Sequence, residues 1–311
     1  MRFENQNAIV TGAGRGIGHA IAVRLASEGA RVACVSRTEA NAKKTADEIN
    51  ALRQSGSDRQ SAGDTPAATA YTVDVADHAS VQKVGEQILK DFGKIDILIN
   101  NAGVFLDNAM TEDYPLEDFD RTIRMNIRSA FMMTRFSLPH LQKTRGNIVS
   151  AGSESGMIGL AQNTTYGGTK GWMHAFMRGV AVEQAQNGVR ANCVCPGPID
   201  TAWTHKETGP MDEQMEKNLI QAVPLARRGT TEEVANVYAF LASNEASYVT
   251  GALYVVDGGT TIAKGPVGDL VPKSLRKEPE GDPQLQHRHE GLRSKETHRI
   301  KPKKEKESVK K

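Results

Sequence analysis

Seven short runs of β-branched and other apolar residues punctuate the chain, at 8–11, 31–36, 70–74, 95–99, 147–150, 190–195 and 253–256. Most do not alternate with polar residues; Ile97-Leu98-Ile99 and Val255-Val256 are apolar at consecutive positions. A strand with one wet face alternates, whereas a strand covered on both faces need not, and the second case is the rule in parallel sheets. Between the runs lie stretches of helical periodicity, for example 17–28, 79–92 and 231–242. The last opens Thr230-Thr231-Glu232-Glu233, a spacing at which a Thr and a Glu can each bond the other's backbone. Strand–helix alternation over about seven strands predicts an α/β fold: a single doubly wound parallel sheet with helices on both faces.

Two stretches break this rhythm. Residues 54–66 (QSGSDRQSAGDTP) are polar and turn-rich, and are expected to be a surface loop insertion before the third strand. The second is the C-terminal end. Residues 264–311 hold 14 Lys+Arg and 8 Asp+Glu, leaving 25 and 29 of the chain's 39 and 37 for the rest. The formal charge of +2 therefore averages a mildly acidic body over 1–263 and a tail of +6 over 264–311. With eight aliphatic and no aromatic residues, the tail is expected to be disordered.

No apolar run approaches the roughly 20 residues that span a bilayer, so no membrane partner is expected. The first strand starts too early to leave room for a signal peptide. Cys34, Cys193 and Cys195 sit in strand-like runs, and two cysteines two apart on one strand make poor disulfide partners. No His/Cys spacing matches a zinc signature, so no metal is expected. Buried reduced thiols fit a cytoplasmic protein.

The first strand runs into Thr11-Gly12-Ala13-Gly14-Arg15-Gly16-Ile17-Gly18, which opens the first helix. Glycines there permit a tight turn and let the backbone approach a pyrophosphate at a helix N-terminus, where free N–H groups and the dipole favour anions. Further on come Asn100-Asn101-Ala102-Gly103 after the fourth strand, Tyr166-x-x-x-Lys170, Pro196-Gly197 after the sixth, and Val256-Asp257-Gly258-Gly259. In this order and spacing the chain resembles the short-chain dehydrogenase/reductase family from about residue 5 to 260. The resemblance implies a Rossmann-like fold, a nicotinamide dinucleotide cofactor and hydride transfer between that cofactor and a small-molecule carbonyl or secondary alcohol.

The resemblance maps cofactor contacts onto Gly12, Arg15, Gly16, Ile17, Gly18, Ser36, Arg37, Asp74, Val75, Asn101, Ala102, Gly103, Tyr166, Lys170, Pro196, Gly197, Ile199 and Thr201. An acid at the end of the second strand would select NAD by binding the ribose 2′-OH. That strand instead ends Val35-Ser36-Arg37, and Arg37 with Arg15 could grip a 2′-phosphate, so NADP is expected over NAD.

Carbonyl reduction needs a proton donor at the forming alkoxide and groups that fix the oxygen. Tyr166 and Lys170 lie four apart, on one helix face, where the ammonium can favour phenolate. The resemblance makes Tyr166 the general acid/base, with Lys170 lowering its pKa and bonding the nicotinamide ribose. It places a serine 13 residues before the tyrosine, at Ser153, with Ser150 and Ser155 as rivals, and a fourth catalytic position at Asn126. The segment after Thr201, with Trp203, Met211 and Met215, falls where the family has a substrate lid. Glycines at 167, 168 and 171 surround the tyrosine on a helix that joins subunits in the family, so a homotetramer or homodimer is expected.

Acyl-carrier-protein reductases of the family place basic residues beside the site entrance; Lys143 and Arg145 fit one such patch, while Asn187 stands where a second basic residue would be. Two other classes remain open: a dinucleotide-binding regulator without catalysis, against which the complete set of four catalytic positions argues, and an electrostatic arm in which Lys301-Pro302-Lys303-Lys304 binds nucleic acid. Interleaved Glu305 and Glu307, and the absence of aromatics, weigh against nucleic acid.

Overall fold

Successive side chains on a strand point to opposite faces, and in this protein both faces are covered. The computed structural model describes residues 1–55, 66–201 and 213–276. Its strands are β1 (Asn7–Thr11), β2 (Arg31–Ser36), β3 (Ala68–Thr72), β4 (Ile97–Asn100), β5 (Asn147–Ala151), β6 (Arg190–Pro196) and β7 (Leu253–Val256). They form one parallel sheet in the order β3-β2-β1-β4-β5-β6-β7. The helices are α1 (Gly16–Ser27), α2 (Glu39–Ser55), α3 (His78–Phe92), α4 (Leu116–Ile123), α5 (Ser129–Thr144), α6 (Thr164–Gln184), α7 (Glu213–Ala222) and α8 (Thr231–Ala242).

The unbroken apolar runs divide cleanly between two cores. Ala8, Val10, Val32, Cys34, Ile97, Ile99, Val149 and Val194 face the side packed by α1 and α8. Ile9, Ala33, Val35, Leu98, Ile148, Cys193 and Cys195 face the side packed by α3, α5 and α6. Ile97, Leu98 and Ile99 are all fully buried, each stabilising the fold by about 1.5–3 kcal/mol relative to exposure. A polar residue at any of them would be stranded in one core or the other, which explains the missing alternation.

Two strands begin and end off the expected registers. The third covers 68–72 rather than 70–74, because Asp74 already turns the chain, its carboxylate accepting the Ala76 N–H at 3.0 Å. The fourth covers 97–100 rather than 95–99. Ile95 is buried, but its neighbour Asp96 spends its backbone N–H on Asn7 and its carboxylate on the Asn7 N–H, fixing the strand's entrance. Between α4 and α5 lies one π-helical turn, Arg124–Arg128, which periodicity did not indicate. The capping box at the start of α8 forms as the spacing predicts, with Thr230 and Glu233 bonding reciprocally.

The expected insertion at 54–66 falls almost wholly outside the described residues. The body was expected to end at 263; the described chain continues to 276, and its 3₁₀ turn Val267–Leu270 packs on α7. Gln221 of α7 bonds the Asp269 carboxylate at 3.0 Å. The rest of the tail, including 301–304, lies outside the described residues. Among the described residues no helix is long and apolar enough to cross a membrane.

Candidate active site

The sheet order reverses direction at β1: the chain winds outward through β2 and β3, then returns to place β4 on the other side of β1. Loops leaving the C-terminal ends of β1 and β4 part there, and ligands of such sheets bind in the crevice between them. Thr11 and Asn101 fasten the crevice floor. Thr11 Oγ1 donates to the Ile99 carbonyl at 3.1 Å and accepts the N–H groups of Asn101 and Ala102 at 3.0 and 3.1 Å. Asn101 Nδ2 donates back to the Thr11 carbonyl at 3.2 Å.

The glycine turn above this floor tolerates no side chains at its tightest points. Gly12 is left-handed at φ +67°, and a Cβ on Gly18 would lie 2.2 Å from the Gly12 carbonyl oxygen. Thr45 Oγ1 holds the turn from outside by donating to the Ala13 carbonyl at 3.0 Å. The Arg15 side chain, at the N-cap of α1, makes no capping bond to the helix, and Gly16, Ile17 and Gly18 of the first turn line the crevice. An uncapped helix N-terminus beneath a glycine turn fits a dinucleotide pyrophosphate.

One continuous cleft runs from this turn along the C-terminal edge of the sheet. Its walls include Gly12, Arg15, Gly16, Ile17 and Gly18; Ser36 and Arg37 after β2; Val75 after β3; Asn101, Ala102 and Gly103 after β4; Ser153 after β5; Tyr166 and Lys170 on α6; and Pro196, Gly197, Ile199 and Thr201 after β6. Two expected residues stand back from it. Asp74 ion-pairs with Arg124 at 2.7 Å while capping its own turn. Asn126, buried in the π turn, accepts the Val104 N–H at 2.7 Å and donates to the Val104 carbonyl and to Thr169 Oγ1 at 2.9 and 3.1 Å. It thus ties the β4 exit loop to α6 directly behind Gly103. Of the expected lid, Trp203 and Met211 lie outside the described residues, as does the side chain of Met215.

The structure separates the three candidate serines. Ser150 is fully buried, donating to Met177 Sδ at 3.0 Å and accepting from Asn100 Nδ2 at 3.2 Å. Ser155 is not on the cleft wall. Ser153 is, and its hydroxyl caps the turn Glu154–Gly156 by accepting the Ser155 N–H at 3.2 Å. Lys170 Nζ donates to the Ala151 carbonyl at 2.8 Å and lies 5.3 Å from the Tyr166 ring centroid. Phe105 packs edge-on against that ring at 5.2 Å.

Two residues at this site had no part in the sequence reading. His174, one helical turn beyond Lys170, accepts the Ser153 backbone N–H on Nε2 at 3.4 Å; its spacing of four from Lys170 was the only signal. Glu154 follows Ser153 and is pushed up to about 7 by burial and by the Asp257 carboxylate. Asp257 itself caps the final glycine turn, accepting the N–H groups of Gly259 and Thr261 at 2.8 and 2.7 Å. Gly197 separates the two acids from the cleft: a Cβ there would lie 2.6 Å from Asp257 Cβ and 3.0 Å from Glu154 Oε2.

Comparison with known proteins agrees with this geometry. A family model described as Enoyl-(Acyl carrier protein) reductase matches residues 12–261. The chain is 35% identical over 265 residues to meso-2,3-butanediol dehydrogenase of Serratia marcescens, covering 85% of this chain and 98% of that protein. A 3-ketoacyl-(acyl-carrier-protein) reductase from Brucella melitensis, solved in complex with NADH, superposes with a TM-score of 0.73 at 31% identity, over 83% of this chain and 99% of that one. A variant short-chain dehydrogenase/reductase of Serratia marcescens superposes at 0.74 with 31% identity, over 84% of this chain and all of that one. The chain belongs to the short-chain dehydrogenase/reductase family. It is an NAD(P)-dependent oxidoreductase of that family, acting at a carbonyl or secondary alcohol.

The acid pair sets a pH dependence for this short-chain dehydrogenase/reductase. Glu154 binds its proton more tightly in the folded chain than at its ordinary value of 4.5. Its contribution to stability is therefore complete below about 4.5 and lost as pH rises through about 7. Glu154→Gln should be more stable than wild type by about 1–3 kcal/mol near pH 8, with the gap closing toward pH 5. Denaturant unfolding at the two pH values checks this; equal stabilities at the higher pH would contradict it.

Proposed function

We propose that the protein is an NADP(H)-preferring reductase of small carbonyl compounds, running in reverse on secondary alcohols, with Tyr166 as general acid/base. The observation that carries this reading is that Ser153, Tyr166 and Lys170 all line the cleft that the glycine turn also lines. When bound, the nicotinamide supplies or accepts the hydride. The Ser153 hydroxyl orients and polarises the substrate oxygen. Tyr166 Oη passes the proton to or from that oxygen, and the Lys170 ammonium beside the ring supports the charge that forms. The Ala151 carbonyl holds Lys170 on the cleft wall, where it would also bond the nicotinamide ribose. Asn126 keeps the Gly103–Val104 loop at its distance from Lys170, since Gly103 lies between the two, its Cβ position 3.2 Å from Asn126 Oδ1 and 3.9 Å from Lys170 Nζ.

The preference for NADP(H) rests on the end of β2. Ser36 and Arg37 stand on the cleft wall where an acid would repel a 2′-phosphate, and Arg15 of the turn is on the same cleft. Val75, Ile199 and Thr201 complete the seat at the adenine and carboxamide ends. An acyl-carrier protein as partner draws no support from Lys143 and Arg145. Both precede β5, whereas Ser153 follows it, so about 17 Å of strand separates that pair from the cleft within one chain. A small diffusible substrate fits better.

Assembly into a dimer or tetramer is supported by the outer face of α5 and α6. Phe131 is 43% exposed there, against Phe176, which stacks on Trp172 at 4.6 Å. A Cβ on Gly168 would meet nothing within 4 Å, leaving room for another helix to approach. Three free thiols support a reducing, cytoplasmic setting.

A panel of ketones, aldehydes and secondary alcohols, followed by nicotinamide absorbance with NADPH and NADH, tests the function. Tyr166→Phe should lower kcat by about 10²–10⁴-fold while NADPH affinity stays nearly unchanged; full activity in that variant would refute the role. Arg37→Ala should raise KM for NADPH by about 10–100-fold and leave KM for NADH nearly unchanged, as expected for loss of a charge-assisted bond. Equal effects on both cofactors, or a wild-type preference for NADH, would overturn the assignment.

A further inference from the structure

Three donor atoms with no part in the chemistry above lie together beneath the loop that carries Ser153. His174 Nε2, Cys193 Sγ and Cys195 Sγ are buried and all within 4.8 Å of one another. Nε2 is 3.2 Å from Cys195 Sγ. A Cβ on Gly152 would sit 2.6 Å from Nε2 and 2.8 and 2.9 Å from the sulfurs of Cys193 and Cys195. All three donors thus face the Cα of Gly152, and any side chain at 152 would run into them. The 19-residue gap between His174 and Cys193 hides the cluster in the sequence. It exists because β6 turns both cysteines toward the α6 face, the side of the sheet from which His174 descends.

Covalent pairing of the thiols is a poor alternative. Residues two apart on an extended strand have Cα atoms about 6.6 Å apart and parallel side chains, at the edge of what a disulfide spans. Two thiolates and an imidazole are instead a soft donor set of the kind that selects Zn²⁺ or Cu⁺ over Mg²⁺ and Ca²⁺. Three donors at about 2.0–2.3 Å from an ion stand about 3.3–4.0 Å from each other, so binding asks for adjustments of an ångström or less. We propose that His174, Cys193 and Cys195 form a binding site for a thiophilic cation, Zn²⁺ or Cu⁺, beneath the reactive loop.

The charge balance of the cluster suits this use. Binding the ion displaces the thiol protons, and two thiolates then neutralise a divalent ion in a buried place. Nε2 also accepts the Ser153 N–H, so a bound ion competes with the contact that steadies that loop.

The test uses the full reduced chain under anaerobic conditions. Cd²⁺ serves as the optical probe through its thiolate charge-transfer absorbance, and chromophoric chelators compete for Zn²⁺ and for Cu⁺ in separate arms. One ion per chain is expected, with affinity falling about 100-fold or more in Cys193→Ser and in Cys195→Ser. Cys34→Ser should bind as wild type does, because Cys34 is on the opposite face of the sheet. If a serine variant fails to fold, His174→Gln reads the same site. No binding by wild type in any arm, retained affinity in the cluster variants, or loss in Cys34→Ser would overturn the proposal.

Discussion

Everything at this site hangs on one steric constraint, the contact between Gly18 and the Gly12 carbonyl. Because no Cβ separates them, α1 starts directly on top of the C-terminal end of β1 with its first turn on the crevice wall. A bulkier residue at 18 would push the helix away from the strand and close the crevice at its phosphate end. Thr11 and Asn101 then transmit that position to β4, so that the turn, the β4 exit loop and the wall beyond it form one rigid edge. The helix dipole and the open crevice are consequences of this packing, and they form an anion-binding surface to which Arg15 of the turn adds a charge.

The same two-sided burial that flattens the hydrophobic pattern also builds the reactive end. With both faces of β5 and β6 covered, their C-terminal ends stop at fixed heights, and the loops that follow present Ser153 and Gly197 to the cleft while Ser150 stays inside. Alternation along β6 sends Cys193 and Cys195 to one core and Val194 to the other. The thiol–imidazole cluster therefore sits one layer below the reactive wall, separated from it by Gly152.

Much of this was legible in the sequence because the information is local. Unbroken apolar runs reported strands buried on both faces, the Thr230–Glu233 spacing reported a helix start, and the glycine turn reported its own geometry. Tyr166 and Lys170 share a face because four residues make about one helical turn. What stayed hidden depends on distant chain segments meeting. Ser150 and Ser153 differ only in which side of the β5 terminus they fall. Asp74, expected at the cofactor, pairs with Arg124 of the π turn, 50 positions away in the chain. Glu154 owes its raised value to burial and to Asp257, 103 positions away in the chain, and His174 meets its cysteines only through the packing of α6 on the sheet. Such encounters leave no periodic trace.

The most direct measurement of the central claim is the NADPH affinity of Gly18→Ala, by fluorescence titration, beside its circular dichroism spectrum. A Cβ at 18 must displace the turn while the two cores stay intact. The account predicts a folded protein that binds NADPH about 10–100-fold more weakly, the loss of one or two charge-assisted hydrogen bonds to phosphate. Wild-type affinity in a folded Gly18→Ala would contradict it, and would mean that the dinucleotide is seated somewhere other than on this turn.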